Sequence, residues 1–245
     1  GSCDGMVIKY SSEGEVEWAK NVGGNGSDHI TSVEETSDGG YIAGGYFYNS
    51  TIQVGDTTLT HKGYEDGMLI KYSSEGEVEW ATSIGGSGTD VINSVAGTRD
   101  GGYIAGGYFY TATIQVGDTT LTKNGDYDGM LIKYSSEGEV EWATSVGGNG
   151  RDRLYSLIET RDGGYIVGGY FSATIQIGGT TLTSKGNSDG MVIKYSSEGE
   201  VEWAISVGGS VDDYIRSLEG TSDGGYIAGG YFSGTIKVGD TTLTS

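Results

Sequence analysis

The sequence predicts an all-β chain assembled from four near-identical units, and three observations carry that expectation. The sixteen-residue block DGMVIKYSSEGEVEWA begins at Asp4 and returns, with Val or Leu at its fourth position, at Asp66, Asp128 and Asp189. Its tryptophans Trp18, Trp80, Trp142 and Trp203 stand 62, 62 and 61 residues apart. A second block, DGGYIAGGYF, starts at Asp38, Asp100 and Asp223, and as DGGYIVGGYF at Asp162. Between the blocks lie short β-prone runs and glycine-rich turns, with no segment of helical period, so no helix is expected. Residues 1–245 read as a single domain.

Each unit resolves into strands in a fixed order. MVIKY (6–10) is short and β-branched, and SSEG (11–14) is a turn. EVEWAKNV (15–22) alternates, placing Val16, Trp18 and Val22 on one face and Glu15 and Glu17 on the other. GGNGSD turns into HITSVEET (29–36), and SDGG (37–40) is a tight turn before YIAGGYFY (41–48). TIQV and TTLT then flank Gly55-Asp56, a step that suits a two-residue hairpin with glycine first.

Units of about four main strands suggest a β-propeller or a stacked solenoid. The chain starts midway through a unit, and joining Ser245 to Gly1 gives TTLTS-GSCDGM, close to the internal TTLTSKGNSDGM. A permuted repeat suits a ring whose last blade is assembled from both termini. The expectation is therefore a four-bladed β-propeller of ~62-residue repeats. His29–Thr36 would be an innermost strand and Glu15–Val22 an outermost one, with glutamates discouraging edge-to-edge pairing. A monomer is expected, with a larger ring built from two chains as the alternative.

The combined pattern G-G-x-x-x-D-x-x-x-S-[VL], then D-G-G-Y-I-x-G-G-Y-F, TTLT and D-G-M-[VL]-I-K-Y-S-S-E-G-E-V-E-W-A resembles the β-propeller repeats of secreted and surface bacterial proteins. The resemblance covers the whole chain. It implies an extracellular or cell-surface bacterial setting and supplies no catalytic residues that could be carried over.

Composition narrows the function classes. A net charge of −20 argues against nucleic acid or an anionic membrane surface as partner. No run of 18 or more apolar residues is present, so membrane insertion is not expected. The single cysteine, Cys3, excludes an internal disulfide framework and falls in register with Glu65, Tyr127 and Ser188. The stretch GGNGSDHIT (23–31) fits the nonapeptide that binds calcium in parallel β-helices. Its copies lie some 60 residues apart, however, and the fourth carries Val211 at the third glycine. Asp28, Asp90, Asp152 and Asp213 are therefore read as turn caps, and no metal or cofactor is expected.

Catalytic signatures are not found either. His29 and His61 have no counterparts in the other units, and no GxSxG, HExxH or Cys–His pattern occurs. The recurring Glu13, Glu15 and Glu17 form identical sets, whereas an acid/base dyad needs two different environments. An enzyme is not expected.

The differences among copies are the informative signal. The Asp4–Ala19 block, exposed SSEGE turn included, varies at one position, whereas the entrance to the innermost strand is diverse. One site reads His29, Val91, Arg153, Tyr214, and another reads Thr31, Asn93, Tyr155, Arg216. The loops before the first and third strands vary too, and in a meander blade both open on one face. A glycan or protein ligand is expected there, on His29, Thr31, Asn93, Arg153, Tyr155, Tyr214 and Arg216, because Arg, Tyr and Asn suit recognition surfaces. The alternative is a structural or display scaffold born of recent duplication or consensus design.

Overall fold

The computed structural model describes residues 3–48 and 51–245, so the Ser245–Gly1 junction lies outside the described residues. The chain opens with β1 (Gly5–Tyr10) and β2 (Val16–Val22). The next unit contains β3 (His29–Glu35), β4 (Tyr41–Phe47), β5 (Thr51–Val54), β6 (Thr57–Thr60), β7 (Asp66–Tyr72) and β8 (Val78–Ile84). It is followed by β9 (Asp90–Gly97), β10 (Tyr103–Phe109), β11 (Thr113–Val116), β12 (Thr119–Thr122), β13 (Asp128–Tyr134) and β14 (Val140–Val146). The third holds β15 (Arg153–Glu159), β16 (Tyr165–Phe171), β17 (Thr174–Ile177), β18 (Thr180–Thr183), β19 (Asp189–Tyr195) and β20 (Val201–Val207). The last strands are β21 (Tyr214–Gly220), β22 (Tyr226–Tyr231), β23 (Thr235–Val238) and β24 (Thr241–Thr244).

The main strands form three complete antiparallel sheets, β3-β4-β7-β8, β9-β10-β13-β14 and β15-β16-β19-β20. Beside each lies a small hairpin, such as β5-β6, turning on Gly55 with φ 57°, which a side-chain-free residue adopts without steric cost. All-β composition and repeated antiparallel meanders are consistent with a β-propeller-like repeat fold, as the sequence predicts.

Closure is where the structure differs from expectation. The β1-β2 and β21-β22 pairs remain separate two-stranded sheets, and among the described residues no sheet joins β22 to β1. Innermost strands pack in series, β3 on β9, β9 on β15 and β15 on β21. The face of β3 that would receive a preceding sheet is bare: Val33 is 55% exposed, against 2% for its counterpart Val95.

Neighbouring sheets are joined by the same contacts each time. Ser32 Oγ accepts from Val95 N at 3.2 Å, Ser94 Oγ from Leu157 N at 3.2 Å, and Ser156 Oγ from Leu218 N at 3.0 Å. Above these bonds Val95, Leu157 and Leu218 press on the backbone at Gly44, Gly106 and Gly168, where a Cβ would come within 2.4–3.0 Å of them. Small residues there let sheets approach closely, and the apolar side chains fill the space at native density. At the outer rim Trp18 lies 5.5 Å from Tyr41 and donates to Ser74 O at 3.1 Å. Trp142 repeats the pattern on Tyr165 and Ser197 O.

Candidate functional site

The GGxGxD turns owe their shape to the aspartate that ends them. Asp28 accepts from Gly24 N at 2.7 Å and from Tyr48 N at 3.0 Å, and so holds the entrance of β3 against the exit of β4. Asp90, Asp152 and Asp213 make the same pair of bonds, to Gly86 and Tyr110, Gly148 and Ser172, and Gly209 and Ser233. These carboxylates are the turn caps the sequence predicts, with amide donors on both oxygens. Burial pushes the Asp152 carboxyl up to about 7, with the charge of Asp128 adding to the effect against its two amide bonds.

This bracing collects the variable loops on one face. Arg151, from the loop entering β15, bonds Ser172 Oγ at 2.6 Å through its amide and Asp126 at 3.1 Å through Nε. The SSEG and DGG turns gather at the opposite end, where Asp38 takes Lys71, and Arg161, at a position that is serine in two units and arginine in two, reaches Ser222 O at 2.5 Å.

On the variable face the structure brings four of the seven expected residues into one aromatic–cationic cluster. The Arg153 guanidinium lies 4.0 Å above the Tyr108 ring and 4.3 Å from that of Tyr127. Tyr127 and Tyr170 share a hydroxyl hydrogen bond of 2.9 Å. Tyr170 packs edge-on to Tyr214 at 4.4 Å, and Tyr214 meets Tyr231 at 4.8 Å. Arg216 sits 3.9 Å over the Tyr155 ring. Such cation–ring contacts keep an arginine near an apolar surface without neutralising it. Arg153 Nε is buried and has no hydrogen-bond partner among the described residues. Burial raises the Tyr170 phenol well above its ordinary range, helped by its bond to Tyr127, so it stays neutral.

A cleft of about 460 Å³ opens beside the cluster, lined by Asp126, Arg151, Ser172, Asn187, Asp212 and Tyr214. Its volume is within the usual range of small-ligand sites, and its lining comes from the loops that differ between copies.

The other three expected residues lie elsewhere. His29 stacks on Tyr46 at 4.8 Å in the first unit. Thr31 donates to Ile92 O at 2.7 Å, and Asn93 Nδ2 donates to Leu154 O at 2.7 Å, each a bond from one innermost strand to the next. Thr31 and Asn93 therefore stitch sheets together. His61, the second histidine, lies edge-on to Phe47 and Tyr48.

Sequence reasoning passed over Tyr108, Tyr170 and Tyr231, because they belong to the constant GGYF block. Register is the signal that finds them. In each unit that tyrosine is the cross-strand partner of the first variable position: Tyr46 of His29, Tyr108 of Val91, Tyr170 of Arg153 and Tyr231 of Tyr214. A constant aromatic thus sits beside a changing neighbour in every copy.

No protein-family model matches the chain. Among curated proteins it is 26% identical over 261 residues to the "Uncharacterized WD repeat-containing protein L264" of Acanthamoeba polyphaga mimivirus, covering 85% of this chain and 18% of that protein. It is likewise 26% identical over 251 residues to the "Regulatory protein FlaEY" of Caulobacter vibrioides, covering 93% of this chain and 25% of that one. The chain therefore spans a quarter or less of the length of these relatives. A solved protein of unknown function from Bacteroides caccae aligns over 80% of this chain and 73% of its own, with a TM-score of 0.35 and 9% identity.

Proposed function

We propose that this chain is a non-enzymatic binding module, the repeat unit being a blade of a β-propeller in a secreted or surface bacterial protein, with a glycan or protein ligand on its variable face. The observation that carries the reading is the Tyr–Arg band from Tyr108 to Arg216 beside the loop-lined cleft. Tyrosine rings offer flat apolar surface with a hydroxyl at the tip, at low conformational cost, and stacked guanidiniums keep outward N–H groups for hydroxyl or carboxylate oxygens. The name of the viral relative, a WD-repeat protein, fits a blade-like unit.

An alternative is a scaffold with no ligand of its own. It is favoured by Thr31 and Asn93, since part of the variation among copies serves sheet-to-sheet bonding.

A glycan array and a proteome-wide binding screen, run with the native chain beside an Arg153/Tyr155/Tyr214/Arg216 alanine variant, decide between them. Selective binding that the variant loses by tenfold or more supports the module. Equal retention of nothing above background by both chains supports the scaffold.

A further inference from the structure

At the outer rim an outermost strand, the tip of a small hairpin and the SSEG turn of the following unit enclose a recess. Between β2 and the β7-β8 pair it measures about 220 Å³ and is lined by Lys20, Asn21, Gly55, Tyr72 and Glu77. Between β8 and the β13-β14 pair the same positions supply Thr82, Ser83, Gly117, Tyr134 and Glu139, and the recess widens to about 370 Å³. Lys20 bridges the first recess by pairing with Glu77 at 3.1 Å. Thr82 is too short to do the same, and Glu139 forms no ion pair among the described residues.

The wider recess also holds two polar groups that the fold leaves unsatisfied. Trp80 Nε1 and the Tyr134 hydroxyl are buried without a hydrogen-bond partner among the described residues, and Tyr134 is only 1% exposed. At the corresponding places Trp18 donates to Ser74 O at 3.1 Å and Trp142 to Ser197 O at 3.2 Å. Burial raises the Tyr134 phenol well above its ordinary range, so it is a neutral hydroxyl near pH 7. Gln115 is committed to its own hairpin: its amide donates to Gly117 O at 2.8 Å and its carbonyl accepts from Thr120 Oγ1 at 2.7 Å. Buried polar groups in native chains are almost always paired, so two orphans lining one recess point to an occupant.

Their chemistry selects that occupant. Trp80 Nε1 only donates, the Glu139 carboxylate only accepts, and the Tyr134 hydroxyl does both. An anion would satisfy the indole and be repelled by Glu137 and Glu139. A cation would satisfy the carboxylates and set its charge against the indole N–H. A neutral hydroxyl accepts from one and donates to the other, and a rigid ring presents adjacent hydroxyls at low conformational cost. The volume is within the usual range of small-ligand sites.

We propose that the recess between β8 and β14 is a second binding site, separate from the Tyr–Arg band, for a neutral polyhydroxylated ring such as a hexopyranoside residue, held by Trp80, Tyr134 and Glu139.

The indole N–H of Trp80 reports occupancy directly in nuclear magnetic resonance spectra of the isotope-labelled full chain. Titrated with methyl α-glucopyranoside or with myo-inositol, its resonance should shift saturably. Those of Trp18 and Trp142, already bonded to carbonyls, should stay in place. Sodium acetate and methylammonium chloride should leave Trp80 unmoved. Tyr134→Phe removes a hydroxyl that has no partner, so the melting temperature should hold while affinity falls about fivefold. Thr82→Lys rebuilds the Lys20–Glu77 arrangement across the recess and should abolish the shift. The Arg153/Tyr155/Tyr214/Arg216 alanine variant should retain it, so this site and the variable face succeed or fail separately. The proposal is overturned if neither sugar probe shifts Trp80 saturably, if acetate or methylammonium shifts it as strongly, or if Tyr134→Phe and Thr82→Lys bind as the native chain does.

Discussion

Lys71 Nζ lies 2.9 Å from Asp38 Oδ2 with only 1% of its side chain exposed, while the same lysine of the first unit, Lys9, has 34% of its side chain exposed and holds Glu17 alone. One residue type in one repeat position is thus a buried, doubly paired cation in one copy and a surface group in another. Removing one member of a buried pair typically costs about 3–5 kcal/mol, and an exposed pair contributes about 1 or less. Lys71→Ala is expected to destabilise by about 3 kcal/mol, since its carboxylates remain half in water, and Lys9→Ala to have a clearly smaller effect. Urea denaturation of the two variants measures this; equal losses would refute the distinction.

Stability should fall on the alkaline side of pH 5. Asp152 titrates near 7 in the folded chain against 3.8 as an ordinary carboxyl, so the folded state holds its proton more tightly than the unfolded one. That contribution is fully present below about pH 4 and is lost as pH rises through 7. Burial raises Asp66, Asp90, Asp128 and Asp189 in the same direction. Asp38 and Asp162 oppose this at the acid end. The hydroxyls of Thr36 and Thr160 and then the partner lysines hold both near 2, so their contribution is lost as pH drops toward 2. The melting temperature is expected to peak near pH 4–5 and to be about 5 °C lower at pH 8, the equivalent of one to two kcal/mol in a chain this size. Asp152→Asn should reduce the alkaline slope without abolishing it, because burial pushes Glu34 up to about 7 as well. A flat profile from pH 5 to 8 contradicts the assignment.

Asn93 and Arg216 should separate stability from binding. Asn93→Ala removes the bond to Leu154 O and leaves that carbonyl short of a donor, a change worth about 1–2 kcal/mol. It should leave affinity for any ligand found on the array within about twofold. Arg216→Ala lifts a cation off the Tyr155 ring at the exposed end of the band, costs under about 1 kcal/mol in stability and should weaken binding by tenfold or more. Chemical denaturation and titration calorimetry on both variants check the prediction, which is lost if Asn93→Ala is the one that abolishes binding.

Chelation should change little. Both carboxylate oxygens of Asp28 already accept amide hydrogens, as do those of its three counterparts, so excess EDTA is expected to shift the melting temperature by less than about 2 °C. A fall of 10 °C or more would restore the calcium reading of GGNGSDHIT.

Strand order, the Gly55-Asp56 hairpin and the turn-capping aspartates were legible in the sequence, because each is encoded locally by alternation, a glycine step or a side chain that bonds four residues back. The aromatic–cationic cluster was legible by half. Differences among copies pointed to Arg153, Tyr155, Tyr214 and Arg216, which do meet, yet variation is blind to Tyr108, Tyr170 and Tyr231, which are invariant and matter through their cross-strand neighbours. The same blindness promoted Asn93 and Thr31, whose hydroxyl and amide serve the adjoining sheet. Closure was the least legible feature. The permuted repeat predicted a sheet shared between the two ends, and among the described residues β1-β2 and β21-β22 stay separate two-stranded sheets.

The Ser32–Val95 joint has a consequence for how such a chain can arise and change. Its two sides are two places on the same unit, so one segment has to be complementary to a copy of itself. Tandem duplication then adds a sheet with a ready-made interface at each end. The constraint runs the other way afterwards: a substitution at the serine, or at the apolar residue that directly follows it, is tolerated only if the adjacent copy can accommodate it. Divergence is nonetheless found on both sides of that constraint, at loop tips such as Arg151 and at Thr31 and Asn93, which bond the adjoining sheet.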